Sequence, residues 1–178
     1  NKQIKFHNSQ RPTWSITFAQ TGLKTMTGCR IKRIQKYVDT DDFMLTYGDG
    51  VAGIDIRKLY SFHKSHGKIG TITAVHPPSR FGGITIGAGS EVLQFKEKPQ
   101  VQNGGINGGF FCFKRSFFDY LSEDERCTLE REPIEKLVSD RQLVAFKHTG
   151  FWQCMDTYRD YVLLNNLWES TRDWKVWE

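Results

Sequence analysis

Asp49 stands between Gly48 and Gly50, directly after the apolar run Phe43-Met44-Leu45-Thr46-Tyr47. A carboxylate at the C-terminal end of a strand sits where open α/β sheets bind their ligands. Glycines on both sides remove side-chain bulk, so a substrate can approach the backbone closely. A hard cation such as Mg²⁺ takes one or two carboxylates together with substrate phosphates. Taken alone, the tripeptide also fits a plain turn that asks for Gly and Asp. Asp156 is the second candidate, in Gly150-Phe151-Trp152-Gln153-Cys154-Met155-Asp156-Thr157. An Asp beside a helix start often only complements the helix dipole. Here, however, Thr157 with Asp160 forms a capping box, so Asp156 is not needed as the cap. If the two carboxylates converge to ~4 Å they repel by ~4 kcal/mol at an effective dielectric of ~20. A divalent cation between them reverses that sign and also serves an incoming polyphosphate.

Three further segments carry groups suited to a phosphorylated ligand. In Gln94-Phe95-Lys96-Glu97-Lys98-Pro99, alternation puts Glu97 on the face opposite Lys96 and Lys98. Lys98 suits a phosphate as a point charge, and Glu97 suits sugar hydroxyls. In isolation such a stretch reads first as a charged edge strand guarded against pairing. Asn107 and Gly108 lie in Gly104-Gly105-Ile106-Asn107-Gly108-Gly109-Phe110, where the glycines imply close approach of a ligand or of another strand. Asn offers donors and an acceptor to a sugar hydroxyl. Finally, Gly22 to Arg30 is a Gly-containing loop entering a helix, a place for an anion. It does not match the spacing of a P-loop ATPase. His7, His63, His66 and His76 lack partner motifs and read as surface or satisfied core residues, and His148 lies near the Trp152 segment.

The elements that must position these groups alternate between strand and helix, which predicts an α/β sandwich around a mostly parallel sheet. Trp14, Ile16 and Phe18 alternate in an extended N-terminal stretch. A helix is expected over Cys29–Val38, a strand over Phe43–Tyr47, and a helix capped by Asp55 and closed by Gly67. Ile56, Leu59, Tyr60 and His63 form its buried stripe. A strand spans 69–75, a hairpin joins 84–86 to 92–96, and a further strand spans 106–113. Helical segments at 115–121 and 131–139, a strand at 143–147 and a helix from Thr157 lined by Tyr161, Leu164 and Trp168 complete the pattern. The 178 residues form one domain, with ordinary apolar and charged fractions. No apolar run approaches the ~20 residues of a membrane span, which argues against a membrane partner. The net charge of +5 is mild, and the basic stretch Lys24, Arg30, Lys32, Arg33 and Lys36 reads mostly as a solvated helix face. Nothing in it argues for nucleic acid. Cys29, Cys112, Cys127 and Cys154 form no C-x-x-C pair; Cys112 and Cys154 read as small buried hydrophobes, and a reducing cytoplasm fits.

Taken together and in order, these motifs resemble the sugar-1-phosphate nucleotidyltransferase family. The carrying residues are Thr21-Gly22, Met26-Thr27-Gly28 with Arg30, Thr46-Tyr47-Gly48-Asp49-Gly50-Val51 and Pro77-Pro78 with Arg80-Phe81-Gly82. Phe95-Lys96-Glu97-Lys98-Pro99, Ile106-Asn107-Gly108-Gly109-Phe110-Phe111, Phe151-Trp152-Gln153 with Met155-Asp156-Thr157, and Trp174-Lys175 with Trp177-Glu178 continue it. Several of these versions look like the family's cytidylyl branch. The resemblance implies a three-layer, Rossmann-like fold with residues 1–178 forming the C-terminal two thirds of the family's usual chain. It implies transfer of a cytidylyl group from CTP to glucose 1-phosphate, giving CDP-glucose and pyrophosphate. UTP or dTTP as the nucleotide, or an inactive sugar-nucleotide-binding or assembly module, are the alternatives. Asp49 and Asp156 would coordinate Mg²⁺, and Thr25, Arg30 and Gly48 would contact the nucleotide. Lys98 would meet the sugar phosphate, Glu97 and Asn107 the sugar, and Gly108 and Trp152 belong to the same substrate-binding set. A cytoplasmic homo-oligomer, with its product feeding O-antigen and lipopolysaccharide synthesis, is also implied. The family's opening strand, glycine-rich triphosphate loop and K-P-K-P segment have no counterpart here, so its N-terminal nucleotide contacts have no positions to receive them. Cys29 and Cys154 stand where relatives are expected to carry Gly and Pro.

Overall fold

The computed structural model describes residues 14–77, 83–96 and 105–177. Helix α1 (Thr27–Arg33) is followed by a 3₁₀ turn at Gln35–Tyr37, strand β1 (Asp42–Thr46) and the short strand β2 (Gly50–Ala52). Helix α2 (Ile56–His66) leads to β3 (Gly70–Val75), and β4 (Gly83–Ile86) pairs with β5 (Val92–Lys96) as a hairpin. Strand β6 (Ile106–Lys114) runs into a 3₁₀ segment at Arg115–Tyr120. Helix α3 (Glu132–Ser139), β7 (Leu143–His148), β8 (Trp152–Cys154) and α4 (Tyr158–Glu169) follow.

The main sheet has the order β1-β6-β3-β7. β6 is antiparallel to both β1 and β3, and β7 is parallel to β3. Three of the four strands therefore share one direction, with β6 alone reversed. Period-two alternation along β6 sends its side chains to opposite faces. Phe111 and Phe113 join Ile31 of α1, Phe117, Phe118, Leu129 and Leu137 of α3 on one side. Cys112 packs with Leu59 of α2 and Ile54 on the other, with Phe110 and Phe146 against them. The sheet is thus a middle layer between α2 and the α1/α3 side.

Local chemistry explains the helix ends. The Asp55 side chain accepts hydrogen bonds from the backbone N–H groups of Arg57 and Lys58, and Gly67 takes φ +68°, the left-handed conformation that closes α2. Thr157 and Asp160 form the reciprocal capping box of α4. Other expectations are corrected. The α-helix expected to Val38 ends at Arg33, where the backbone tightens into i→i+3 bonds (Ile34 N–H to Ile31, Tyr37 N–H to Ile34) and continues as the 3₁₀ turn, while the Arg33 side chain bonds the Thr21 carbonyl and the Thr25 hydroxyl. The basic stretch is correspondingly not just a solvated face: Lys32 Nζ donates to the Phe118 carbonyl at 2.8 Å. Only Leu59 and His63 of the α2 stripe are buried: Leu59 packs on Cys112 and Ile54, whereas Ile56 is exposed and so is Tyr60, whose hydroxyl bonds Asp42. Tyr161 and Trp168 of α4 are exposed while Leu164 is buried; Tyr161 stacks on Tyr158, and Trp168 on Trp174. Trp14, Ile16 and Phe18 form no strand and are exposed. Cys154 is half-buried rather than buried, with its thiol 3.2 Å from Asp156 Oδ2.

His63 is a core histidine. Its Nδ1 lies 2.7 Å from Thr71 Oγ1, which also lies 2.7 Å from His66 Nε2. His66 Nδ1 accepts from the Lys68 N–H, so the neutral ring carries its proton on Nε2 and donates to Thr71. Asp42 faces His63 Nε2 at 3.4 Å and binds Lys64 at 2.7 Å. Burial holds both histidines below the ordinary histidine range, against the pull of Asp42 on His63 and with help from Lys114 on His66. The unfolded chain takes up these protons below about pH 6.5 while the fold resists them. Stability is therefore unaffected by them above that pH and falls as the pH drops below it. The thermal midpoint is expected to decline between pH 7 and pH 5 and to decline less in His66→Gln; a flat midpoint over that range would contradict this account.

Candidate active site

The end of β1 delivers Thr46, Tyr47, Gly48 and Asp49 to the rim of a cavity of about 510 Å³. Thr27, Arg30 and Ile31 of α1, with Leu45 and Leu129, complete its lining. A Cβ added at Gly48 would have nothing within 4 Å, so the backbone there is open to a ligand. β2 then pairs antiparallel with β8, in the register Gly50↔Cys154, Val51↔Gln153 and Ala52↔Trp152. The Met155 N–H donates to the Asp49 carbonyl at 2.9 Å, continuing that ribbon by one residue. Asp49 therefore lies opposite Met155, and Asp156 is its next neighbour. Two carboxylate residues 107 positions apart in the chain are brought to one end of one ribbon. The Asp156 N–H bonds Asp160 Oδ2 at 3.3 Å, which ties the segment to the cap of α4.

The ribbon is pinned to the main sheet by Trp152, whose indole Nε1 donates to the Gly108 carbonyl at 2.8 Å. Gly108 itself is pressed against β3: an added Cβ would stand 2.7 Å from Val75 Cγ1 and 3.2 Å from the Thr73 carbonyl oxygen. Of the two readings of this glycine, the structure shows the approach of another strand. Gly109 adopts φ +77°, and its N–H donates to Asn107 Oδ1 at 2.9 Å. Asn107 Nδ2 donates to the Tyr47 hydroxyl at 3.1 Å. The Tyr47 hydroxyl donates to Glu130 Oε1, and the Thr27 hydroxyl donates to Glu130 Oε2 at 3.0 Å. Burial, reinforced by Glu130, pushes the Tyr47 phenol well above its usual range, so it stays protonated.

Arg30 lines the cavity while its guanidinium binds the Thr21 hydroxyl at 2.9 Å and the Leu23 carbonyl at 3.2 Å. Thr25 is buried, is not part of the cavity lining, and accepts from Arg33 at 3.1 Å. Gly28 lets α1 dock, since a Cβ there would meet Cys127 Sγ at 2.6 Å and the Cys127 carbonyl oxygen at 2.9 Å. Glu97 and Lys98 lie outside the described residues. His148 Nε2 donates to the Phe151 carbonyl at 3.1 Å, a turn contact. Among the described residues no group of three or more His, Cys, Asp or Glu is gathered for a metal. Asp49 and Asp156 would be the residues to hold a hard cation such as Mg²⁺, which would neutralise the charge of a bound polyphosphate. Tyr47, Leu129 and Glu130 were missed from sequence. Their only signal was adjacency: Tyr47 precedes Gly48, and Leu129-Glu130 precedes the Pro133 helix start.

Known proteins resemble this chain in sequence and in fold. A family profile described as nucleotidyl transferase matches residues 2–171. The chain is 46% identical over 178 residues to the glucose-1-phosphate cytidylyltransferase of Salmonella typhimurium, covering 99% of this chain and 68% of that protein. It is 40% identical over 169 residues to the probable glucose-1-phosphate cytidylyltransferase of Bacillus subtilis, covering 94% of this chain and 66% of that protein. A solved structure of a putative glucose-1-phosphate thymidylyltransferase from Bacillus anthracis superposes with a TM-score of 0.60 at 17% identity. That superposition covers 84% of this chain and 63% of the other, and establishes likeness of fold. The chain spans about two thirds of the length of these relatives.

Proposed function

The chain belongs to the nucleotidyl transferase family, and on that premise we propose that the protein transfers a cytidylyl group from CTP to glucose 1-phosphate. CDP-glucose and pyrophosphate are the products, and the reaction depends on Mg²⁺. The observation that supports this reading is the β2–β8 register, which brings the backbone of Asp156 next to the Asp49–Met155 pair, with Asp49 at the rim of the cavity. Asp49 and Asp156 would hold the Mg²⁺, which when bound neutralises polyphosphate charge. An oxygen of the sugar phosphate attacks the α-phosphorus of CTP in line; the new P–O bond forms as the bond to the pyrophosphate leaving group breaks. No covalent enzyme intermediate is needed, so the chain's work is positioning and charge complementarity. Arg30 offers a guanidinium at the cavity wall for phosphate. The open backbone at Gly48 admits the nucleotide, and Thr25 supports this wall by anchoring Arg33. Lys98 meets the sugar phosphate, and Glu97 and Asn107 meet sugar hydroxyls. Gly108 and Trp152 act through one another, since their hydrogen bond holds the carboxylate ribbon beside Asn107. A cytoplasmic homo-oligomer whose product enters surface-polysaccharide synthesis completes the reading.

A pyrophosphate-release assay with glucose 1-phosphate and each of CTP, UTP and dTTP tests the base assignment. CTP is expected to give a kcat/KM at least about tenfold above the other two. A protein that favours UTP or dTTP is a nucleotidyltransferase of another base preference, and one that releases no pyrophosphate with any of them is not this enzyme.

A further inference from the structure

Glu130 joins three parts of the cavity through one carboxylate, yet nothing in its sequence neighbourhood marks it as functional. Its two oxygens accept from Tyr47 at the end of β1 and from Thr27 at the start of α1. Thr27 Oγ1 in turn accepts the Leu129 N–H at 2.9 Å, fixing the segment that presents Glu130. A carboxylate can only accept, so the Tyr47 O–H must point toward it. That leaves the phenol lone pairs facing Asn107, which must therefore offer Nδ2 and not Oδ1. The Gly109 N–H imposes the same orientation from the other side, since it requires Oδ1. The polarity of the chain of bonds is thus set from both ends, by Glu130 through Tyr47 and by the Gly109 N–H. Beyond these two bonds the Asn107 amide retains one donor hydrogen and one lone pair for a ligand.

We infer that Glu130 is a positioning residue for the sugar phosphate, acting through Tyr47 to hold the Asn107 amide in the orientation that meets the sugar. The inference rests on the assignment of Asn107 to the sugar side of the site. Glu130→Gln keeps the shape of the side chain but can donate as well as accept, so the Tyr47 hydroxyl no longer has its direction imposed and Asn107 is held by the Gly109 N–H alone. Tyr47→Phe removes the link itself.

Steady-state kinetics with each substrate varied in turn provide the first test. Both variants are expected to raise KM for glucose 1-phosphate by about 10- to 100-fold, the effect of one charge-assisted hydrogen bond, with KM for CTP within about twofold of the wild type. The double variant should be no worse than the poorer single one, because both act on one chain of bonds. The second test is independent of turnover: exchange of the Asn107 side-chain amide hydrogens by NMR, assigned by comparison with Asn107→Asp. Exchange should be at least about tenfold faster in Glu130→Gln than in the wild type. Unchanged amide exchange would overturn the inference, as would equal changes in both KM values or a loss of thermal stability with KM values intact. Absence of wild-type turnover with any sugar phosphate would instead remove the proposed reaction, and the exchange measurement would still decide whether Glu130 holds Asn107.

Discussion

Asp49→Asn is expected to lower the Mg²⁺-dependent rate of pyrophosphate release by about 10²–10³-fold, and Asp156→Asn by a similar factor. Asn keeps the size and one carbonyl oxygen of Asp but removes the negative charge that binds a hard cation. Neither residue anchors the core, as both are exposed. The main-chain bond between Met155 N–H and the Asp49 carbonyl is untouched by either change. The loss should therefore appear in rate and in the Mg²⁺ concentration needed, not in the melting curve. On the proposed assignment the two carboxylates act on one ion, so Asp49→Asn with Asp156→Asn should cost far less than the product of the single losses. Wild-type rates in either single variant would remove the metal assignment.

Phe113→Ala is the substitution expected to cost most in stability. Its ring is fully buried on β6 and stacks on Phe117 with centroids 3.9 Å apart. Phe111 and Phe43 flank it at 5.6 and 5.8 Å. Removing a ring from such a place loses its transfer free energy and leaves a cavity, about 3–5 kcal/mol together. Domains are stable by only about 5–15 kcal/mol, so this is a large share. At roughly 2–4 °C per kcal/mol for a chain of this size, the thermal midpoint should fall by roughly 6–20 °C. The effect reaches the site because β6 also carries Asn107 and Gly108. Phe113→Leu, which refills much of the space, should lose less than half as much. A midpoint shift of less than about 2 °C for Phe113→Ala would contradict the packing described for this face.

The parts of the fold that were legible in the sequence are those whose signals are local. β3, β6, β7 and the β4–β5 hairpin declare themselves by β-branched and aromatic runs between Gly and Pro, and α2 and α4 by their caps. The parts that were not legible depend on tertiary partners. β2 and β8 are three residues each, Gly50–Ala52 and Trp152–Cys154, too short for any periodicity. They are strands only because they find one another across a hundred residues of chain. The end of α1 at Arg33 is marked by no Gly or Pro; the chain passes there from α to 3₁₀ hydrogen bonding. The apolar stripes of α2 and α4 overstate burial, since Ile56, Tyr60, Tyr161 and Trp168 are all exposed in the fold.

The candidate site divides along the same line. Asp49 and Asp156 could be singled out by type and by position after a strand and before a helix. Their adjacency, however, is a property of the β2–β8 register. The two glycines of most interest separate on contact geometry. Gly48 is open, whereas Gly108 is held against Val75 and Thr73. Glu130 could not be read at all, because its partners Thr27, Tyr47 and, through Tyr47, Asn107 come from distant segments. A lone Glu before a Pro-initiated helix gives no hint of them.

The most direct test of the central claim, that Asp49 and Asp156 together hold the divalent ion that serves the nucleotide, is a metal titration independent of turnover. Mn²⁺ binding can be followed by electron paramagnetic resonance in the presence of CTP, for the wild type and for Asp49→Asn and Asp156→Asn. The wild type should take up one tightly bound ion per nucleotide site, and each variant should bind at least about tenfold more weakly. Wild-type Mn²⁺ affinity in either variant would contradict the account.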